Sequence, residues 1–198
     1  MAPTRVVHPI EQESYRILRS RVDLTHLPPL TRAVTERVVH ASADLDYVTG
    51  LVCDEAALAA GLAALRAGAP VVTDVWMVAA GITGRDVVCP LAEPAVAVLA
   101  RQTGLTRSAA AVRIAHHRVG PGAVWVVGCA PTALVELIAL DAAPALVVGL
   151  PVGFVGATES KEALRASGLP AVSNVGEKGG SAVAAAALNA LLYLKETP

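Results

Sequence analysis

Six aromatic side chains in 198 residues, two Trp, three Tyr and one Phe, make up 3% of the sequence. So thin a supply argues against recognition by stacking on successive bases and offers no material for an aromatic cage. Neither sign of charge is in excess: 16 Lys and Arg face 17 Asp and Glu, a formal net charge of -1. Neutralising a phosphate backbone calls for a basic excess, so no nucleic acid partner is expected, and an anionic ligand must be met by local groups. Cysteine is scarce too. Cys53, Cys89 and Cys129 form no CxxC pair, which removes the zinc-knuckle and disulfide-framework readings and leaves three buried thiols as the expectation. Long apolar runs are also missing, because Gly, Pro or a charge interrupts each before spanning length, and "MAPTRVVHPIEQESY" has no signal-peptide core. The expectation is a soluble, cytoplasmic protein with no membrane partner.

What is present is aliphatic. Hydrophobic residues are 54% of the chain, mostly Ala, Val and Leu, enough to bury the core of one domain spanning 1–198. Six short Val-rich runs bounded by Gly or Pro read as buried strands: "DYVTGLV", "APVVTDV", "RDVVC", "GAVWVVG", "PALVVGLP" and "PAVSNVG". Between most of them lie Ala/Leu segments with helical spacing. "DEAALAAGLAALRAG" has Asp54 as its expected N-cap, and "SAVAAAALNALLYLKE" has Ser181. Alternating strands and helices predict parallel pairing with helices on both faces, a three-layer α/β sandwich with a mainly parallel sheet. The first forty residues differ: "IEQESYRILRSRV" and "PLTRAVTERVVH" predict two consecutive helices before any strand.

The usual nucleotide strings, GxGxxG and GxxxxGK[ST], do not occur, and neither does a GxSxG elbow. Two glycine-rich turns stand out instead. "GEKGGSAVAAAALNA" leads into a helix whose free N–H groups could receive an anion, with Lys178 beside them; a tight turn for close packing is the alternative. "GLPVGFVGATESKEAL" leaves a strand through Gly149, Gly153 and Gly156, where ligands gather in parallel sheets, although unusual backbone angles alone would also explain those glycines. His116 and His117 are neighbours, so on a helix they point about 100° apart and do not form the same-face metal pair of HExxH. They read as surface or structural residues, and no metal site is expected. In "TERVVHASAD", His40 follows Arg37 by three residues, placing both on nearly one helical face where they could touch one ligand. The helix C-terminus favours the imidazolium and the guanidinium opposes it, a balance suited to proton exchange; a helix-terminal cap is the competing reading.

Taken together, "HPIEQESYRIL", "ERVVHASAD", "PVVTDVWMVAAGI", "LTRSAAAVR", "GCAPTALVELIAL", "GLPVGFVGATESKEAL" and "GEKGGSAVAAAALNALL" resemble the precorrin-8X methylmutase, or precorrin isomerase, family, across nearly the whole chain. That resemblance implies a cofactor-free isomerase that moves a methyl group between neighbouring ring carbons of a tetrapyrrole, converting precorrin-8X to hydrogenobyrinic acid, or its cobalt-containing counterpart to cobyrinate. It also implies a homodimer holding the tetrapyrrole near the subunit interface. The family's proton donor or acceptor carries over to His40, and its substrate-contacting serine and arginine to Ser14 and Arg37. Thr83 and Gly84 in "GITGRD", Arg107 and Arg113 in "TRSAAAVR", and Lys178 are further candidate substrate contacts, each with local capping or surface charge as the plain alternative. A non-catalytic tetrapyrrole carrier with the same pocket is the competing functional class.

Overall fold

The computed structural model describes residues 8–194. The two consecutive helices come first, α1 (Pro9–Arg21) and α2 (Pro29–Ser42), then a single turn, α3 (Tyr47–Gly50). The alternating part runs β1 (Leu51–Cys53), α4 (Glu55–Arg66), β2 (Val71–Thr73), α5 (Trp76–Gly81), β3 (Val87–Val88), α6 (Pro94–Thr103) and α7 (Arg107–Val119). It continues with β4 (Val124–Val127), α8 (Pro131–Ala139), β5 (Leu146–Gly149), α9 (Ala157–Ala166), β6 (Ala171–Asn174) and α10 (Ser181–Leu192). The last residues of the "SAVAAAALNALLYLKE" run lie outside the described residues.

Each Val-rich run contributes a strand to one sheet of order β1-β6-β5-β4-β2-β3. Every pairing is parallel except the first, where β1 runs antiparallel to β6 with Leu51 opposite Asn174. The path of the chain explains the exception. α2 ends at the sheet's carboxyl edge, where Asp44 and Asp46 pair with Lys178 beyond β6. The chain enters β1 from that edge without a crossover and must therefore run the opposite way. Half of "DYVTGLV" also departs from expectation: Tyr47 is buried by coiling the chain into α3, and only Leu51–Cys53 stays extended.

Side-chain alternation assigns the two faces. Val71, Val124, Val126, Leu146, Val148 and Val172 meet α2, α4 and α10 in one core. Val72, Trp125, Val127 and Val147 meet Val112 of α7, Leu134 and Leu137 of α8 and Leu164 of α9 in the other. α10 lies inside its layer, buried from Val183 through Leu191, with α2 packed on it and α1 against α2. Small residues make this possible: a Cβ on Gly128 would come within 2.8 Å of the Ala184 methyl, and one on Gly81 within 2.7 Å of Ala185. The Ala-rich helix is thus a close-packing device.

Asp54 caps α4 as expected, accepting from the N–H groups of Ala56 and Ala57. Ser181 does not cap α10. Gly180, at φ 126°, holds that position, and the Ser181 hydroxyl instead shares a hydrogen bond with Cys129 Sγ at 2.8 Å. Only Cys89 of the three free thiols is fully buried; Cys53 and Cys129 are partly so, and burial still pushes Cys53 up to about 12. Among the described residues, no helix is long and apolar enough to cross a membrane.

Candidate active site

The first two helices build the site between them. In α1, Pro9 occupies the first turn, His8 Nδ1 accepts from the Ile10 N–H at 3.2 Å, and Arg19 and Arg21 complement the dipole in the last turn. Glu11, Ser14, Tyr15 and Leu18 recur at helical spacing and turn toward α2. α2 begins at Pro29, with the Glu55 carboxylate accepting from the N–H groups of Leu30 and Thr31 at 2.8 Å each. It ends at Ala43 in the left-handed conformation (φ 54°), so His40 sits within the last turn rather than at the terminus.

Ser14 Oγ lies 2.8 Å from His40 Nδ1. When the hydroxyl donates, the imidazole carries its proton on Nε2. The Tyr15 ring stacks on the imidazole with centroids 4.8 Å apart and planes within 10°. Behind it, Arg37 Nη1 donates to the Tyr15 hydroxyl at 3.3 Å and pairs with Glu11, and the guanidinium lies 4.8 Å over the Tyr193 ring. Burial works against the Arg37 charge, but Tyr15 and Glu11 outweigh it and hold the guanidinium above its ordinary range. Burial likewise pushes the Tyr15 phenol up, with Arg37 opposing.

Ser14 and His40 open onto a groove of about 590 Å³, within the usual size of ligand sites. Its walls are Ile10, Ile17, Leu18, Val39 and Leu45, with Glu13 and Arg21 also lining it. Arg37 is not among the lining residues. The shared helical face predicted for Arg37 and His40 therefore resolves into two adjacent environments joined by Tyr15: His40 toward the groove, Arg37 toward Glu11 and Tyr193.

Thr83 is one ring further on, its hydroxyl bonded to that of Tyr193 and its N–H to Asn189 Oδ1 at 3.2 Å. Gly84 occupies the adjacent exposed turn at φ 69°. Lys178 reaches Asp44 and Asp46 at 2.6 Å each, and the two carboxylates hold its ammonium well above the ordinary lysine range. It borders a second cleft of about 440 Å³ with Val152, Gly180 and Ser181. Arg107 donates to the Leu91 carbonyl at 3.0 Å and Arg113 pairs with Glu136 at 2.5 Å. Both lie on α7, which covers the sheet face opposite α2. The structure therefore gathers Ser14, Arg37, His40 and Thr83, sets Lys178 at a neighbouring cleft, and places Arg107 and Arg113 across the sheet. His117 is exposed and His116 half-buried.

Several residues of this region escaped the motif reading. Tyr15 follows Ser14 and lies four residues after Glu11, so helical spacing alone marks it as facing α2. Asp74 closes "VVTD" at a strand's carboxyl end and accepts from the N–H groups of Gly128, Cys129 and Ala130 at 2.8–3.1 Å; burial still raises its pKa against those three bonds. The two glycine-rich loops are zipped together, Gly153 N–H to the Glu177 carbonyl and Gly180 N–H to that of Leu150. Beneath them Lys161, fully buried, donates to the Lys178 carbonyl at 2.6 Å and to Asn174 Oδ1 at 3.1 Å. Burial, then the nearby Arg165 charge, lowers Lys161 to about 8.

A mostly apolar groove with one serine-bonded imidazole in its wall is an arrangement suited to acid–base chemistry, on an α/β scaffold without nucleotide motifs. The family model described as "Precorrin-8X methylmutase" matches residues 9–194. The precorrin-8X methylmutase of Pseudomonas aeruginosa is 44% identical over 199 residues, covering 94% of this chain and 95% of that protein. The cobalt-precorrin-8 methylmutase of Salmonella typhimurium is 42% identical over 196 residues, covering 93% of each. A crystal structure of precorrin-8X methylmutase from Thermus thermophilus superposes with a TM-score of 0.85 at 38% identity, covering 95% of this chain and 98% of that one. The chain belongs to the precorrin-8X methylmutase family, isomerases of cobalamin biosynthesis.

Proposed function

We propose that this chain, acting as one folded unit in the cytoplasm, moves a methyl group between neighbouring carbons of a corrin-precursor ring, with His40 exchanging the proton that selects the reactive tautomer. The observation that carries this reading is the Ser14–His40 hydrogen bond, 2.8 Å long, in the wall of the apolar groove. A sigmatropic shift breaks one carbon–carbon bond as its neighbour forms, so it requires no protein nucleophile. What the protein supplies is a positioned proton and a fixed substrate. With Nδ1 committed to Ser14, the exchange is assigned to Nε2. Positioned proton transfer contributes roughly 10²- to 10⁴-fold, or about 3–5 kcal/mol of barrier, and orientation supplies the remainder.

The macrocycle face lies against Ile10, Ile17, Val39 and Leu45, and a peripheral carboxylate reaches Arg21 at the groove. Arg37 acts from behind, through Tyr15. A homodimer completes the site. Trp76, Met77, Phe154 and Val155, 54%, 67%, 90% and 88% exposed, support burial of the carboxyl edge against a second copy. The test is to incubate purified protein with precorrin-8X and, separately, with cobalt-precorrin-8, following the visible spectrum. Conversion to the product chromophore is expected with at least one of them; stoichiometric binding of both without conversion would identify a carrier instead. Light scattering at micromolar concentration is expected to give twice the chain mass.

A further inference from the structure

We infer that Tyr15 is a positioning residue for the methyl shift, fixing the plane of the His40 imidazole from the side away from the substrate. Two constraints are needed to orient an imidazole. A hydrogen bond at Nδ1 fixes a point on the ring but leaves rotation about the bond to that point, whereas a parallel face contact fixes the plane. Ser14 supplies the first at 2.8 Å and Tyr15 the second, with planes within 10°. Tyr15 is itself held: Arg37 donates to its hydroxyl at 3.3 Å, and the Arg19 guanidinium lies 5.5 Å over its ring. Arg37 is anchored in turn by Glu11 and the Tyr193 ring. Ser14 and His40 line the groove and Tyr15 does not, so Tyr15 has no binding contact to lose there.

This placement predicts a specific kinetic signature. An imidazole free to tilt would miss the ring nitrogen more often, and a misplacement on the order of 1 Å can cost about a hundredfold in rate. Tyr15 supports the ring from one face only, so Tyr15→Leu is expected to lower kcat about tenfold with KM and product affinity within about twofold of wild type. Tyr15→Phe keeps the stack and loses only the hydroxyl bond to Arg37, so it is expected to retain at least about half of the wild-type kcat.

The inference rests on His40 as the proton-exchanging group, and the experiment separates the two. Steady-state kcat and KM and the single-turnover rate are measured for wild type, Tyr15→Phe, Tyr15→Leu, His40→Ala and Tyr15→Leu/His40→Ala, with product affinity from absorption titration and thermal midpoints for all five. Support is a low kcat for Tyr15→Leu, rescue in Tyr15→Phe, and no further loss when Tyr15→Leu is added to His40→Ala. An inactive His40→Ala with wild-type kcat in Tyr15→Leu overturns the Tyr15 inference and leaves His40 in place. An active His40→Ala overturns the reading on which the inference rests. Should Tyr15→Leu fail to fold, a Tyr15→Phe variant with tenfold lower kcat at an unchanged thermal midpoint overturns the stacking role by itself.

Discussion

Replacing Lys161 with methionine removes a buried ammonium that, among the described residues, donates to the Lys178 carbonyl and Asn174 Oδ1 rather than to a carboxylate. Asn174 Nδ2 also donates to the Lys178 carbonyl at 2.8 Å, so the substitution leaves chiefly Asn174 Oδ1 without its donor. That loss costs about 1–3 kcal/mol. Against it stands the penalty of burying the charge: a fall from 10.5 to about 8 corresponds to roughly 3 kcal/mol. The two nearly cancel, and Lys161→Met is expected within about 2 kcal/mol of wild type at pH 7. The pH dependence does not cancel. Between about 8 and 10.5 the unfolded chain holds the Lys161 proton and the native protein has released it, so native stability rises with pH across that window. Wild type therefore gains about 2 kcal/mol over Lys161→Met between pH 7 and pH 9.5. Urea unfolding of both proteins at the two pH values measures the difference, in which other titrating groups drop out. Parallel stability profiles would refute a lowered native pKa for Lys161.

Gly179→Ala drives a Cβ to 2.5 Å from the Pro151 carbonyl oxygen and closer still to that of Leu150, backbone atoms that cannot swing aside. It should lower stability by about 3 kcal/mol in denaturant melts, whereas Gly84→Ala, with open space around it but φ 69°, should lose only about 1 kcal/mol. Asp74→Asn turns an amide NH₂ toward one of the three N–H groups that the carboxylate receives, and should cost about 1–3 kcal/mol. Because burial raises the native pKa of Asp74, the native protein holds that proton at pH values where the unfolded chain has lost it. Wild type should therefore gain on Asp74→Asn as the pH falls toward 4, the reverse of an ion-paired carboxylate.

The fold was legible where one local rule governed it. Val-rich runs became strands because side chains buried on both faces favour β-branched residues, and Asp54 capped α4 because its carboxylate reaches two N–H groups. The antiparallel edge strand was not legible, since its direction depends on where α2 ends in space. Ser181 failed as a cap because Gly180 takes a backbone conformation that serine would resist. The Ser14–His40 pair spans 26 residues, so no spacing rule announces it, and the family resemblance brought the two together. Arg37 was named by the resemblance, but its pairing with Glu11 and its place over the Tyr193 ring depend on the fold. Lys161 carried no sequence signal, being one lysine in a charged helix until α9 packs under the glycine-rich loops.

If His40 exchanges the proton that drives the methyl shift, removing its imidazole must slow conversion while sparing binding. Single-turnover conversion of precorrin-8X by His40→Ala, followed at the product chromophore with product affinity measured in parallel, tests it most directly. The expected result is product binding within a few-fold of wild type and conversion slowed at least about a hundredfold. Conversion at the wild-type rate by a correctly folded His40→Ala protein would contradict it.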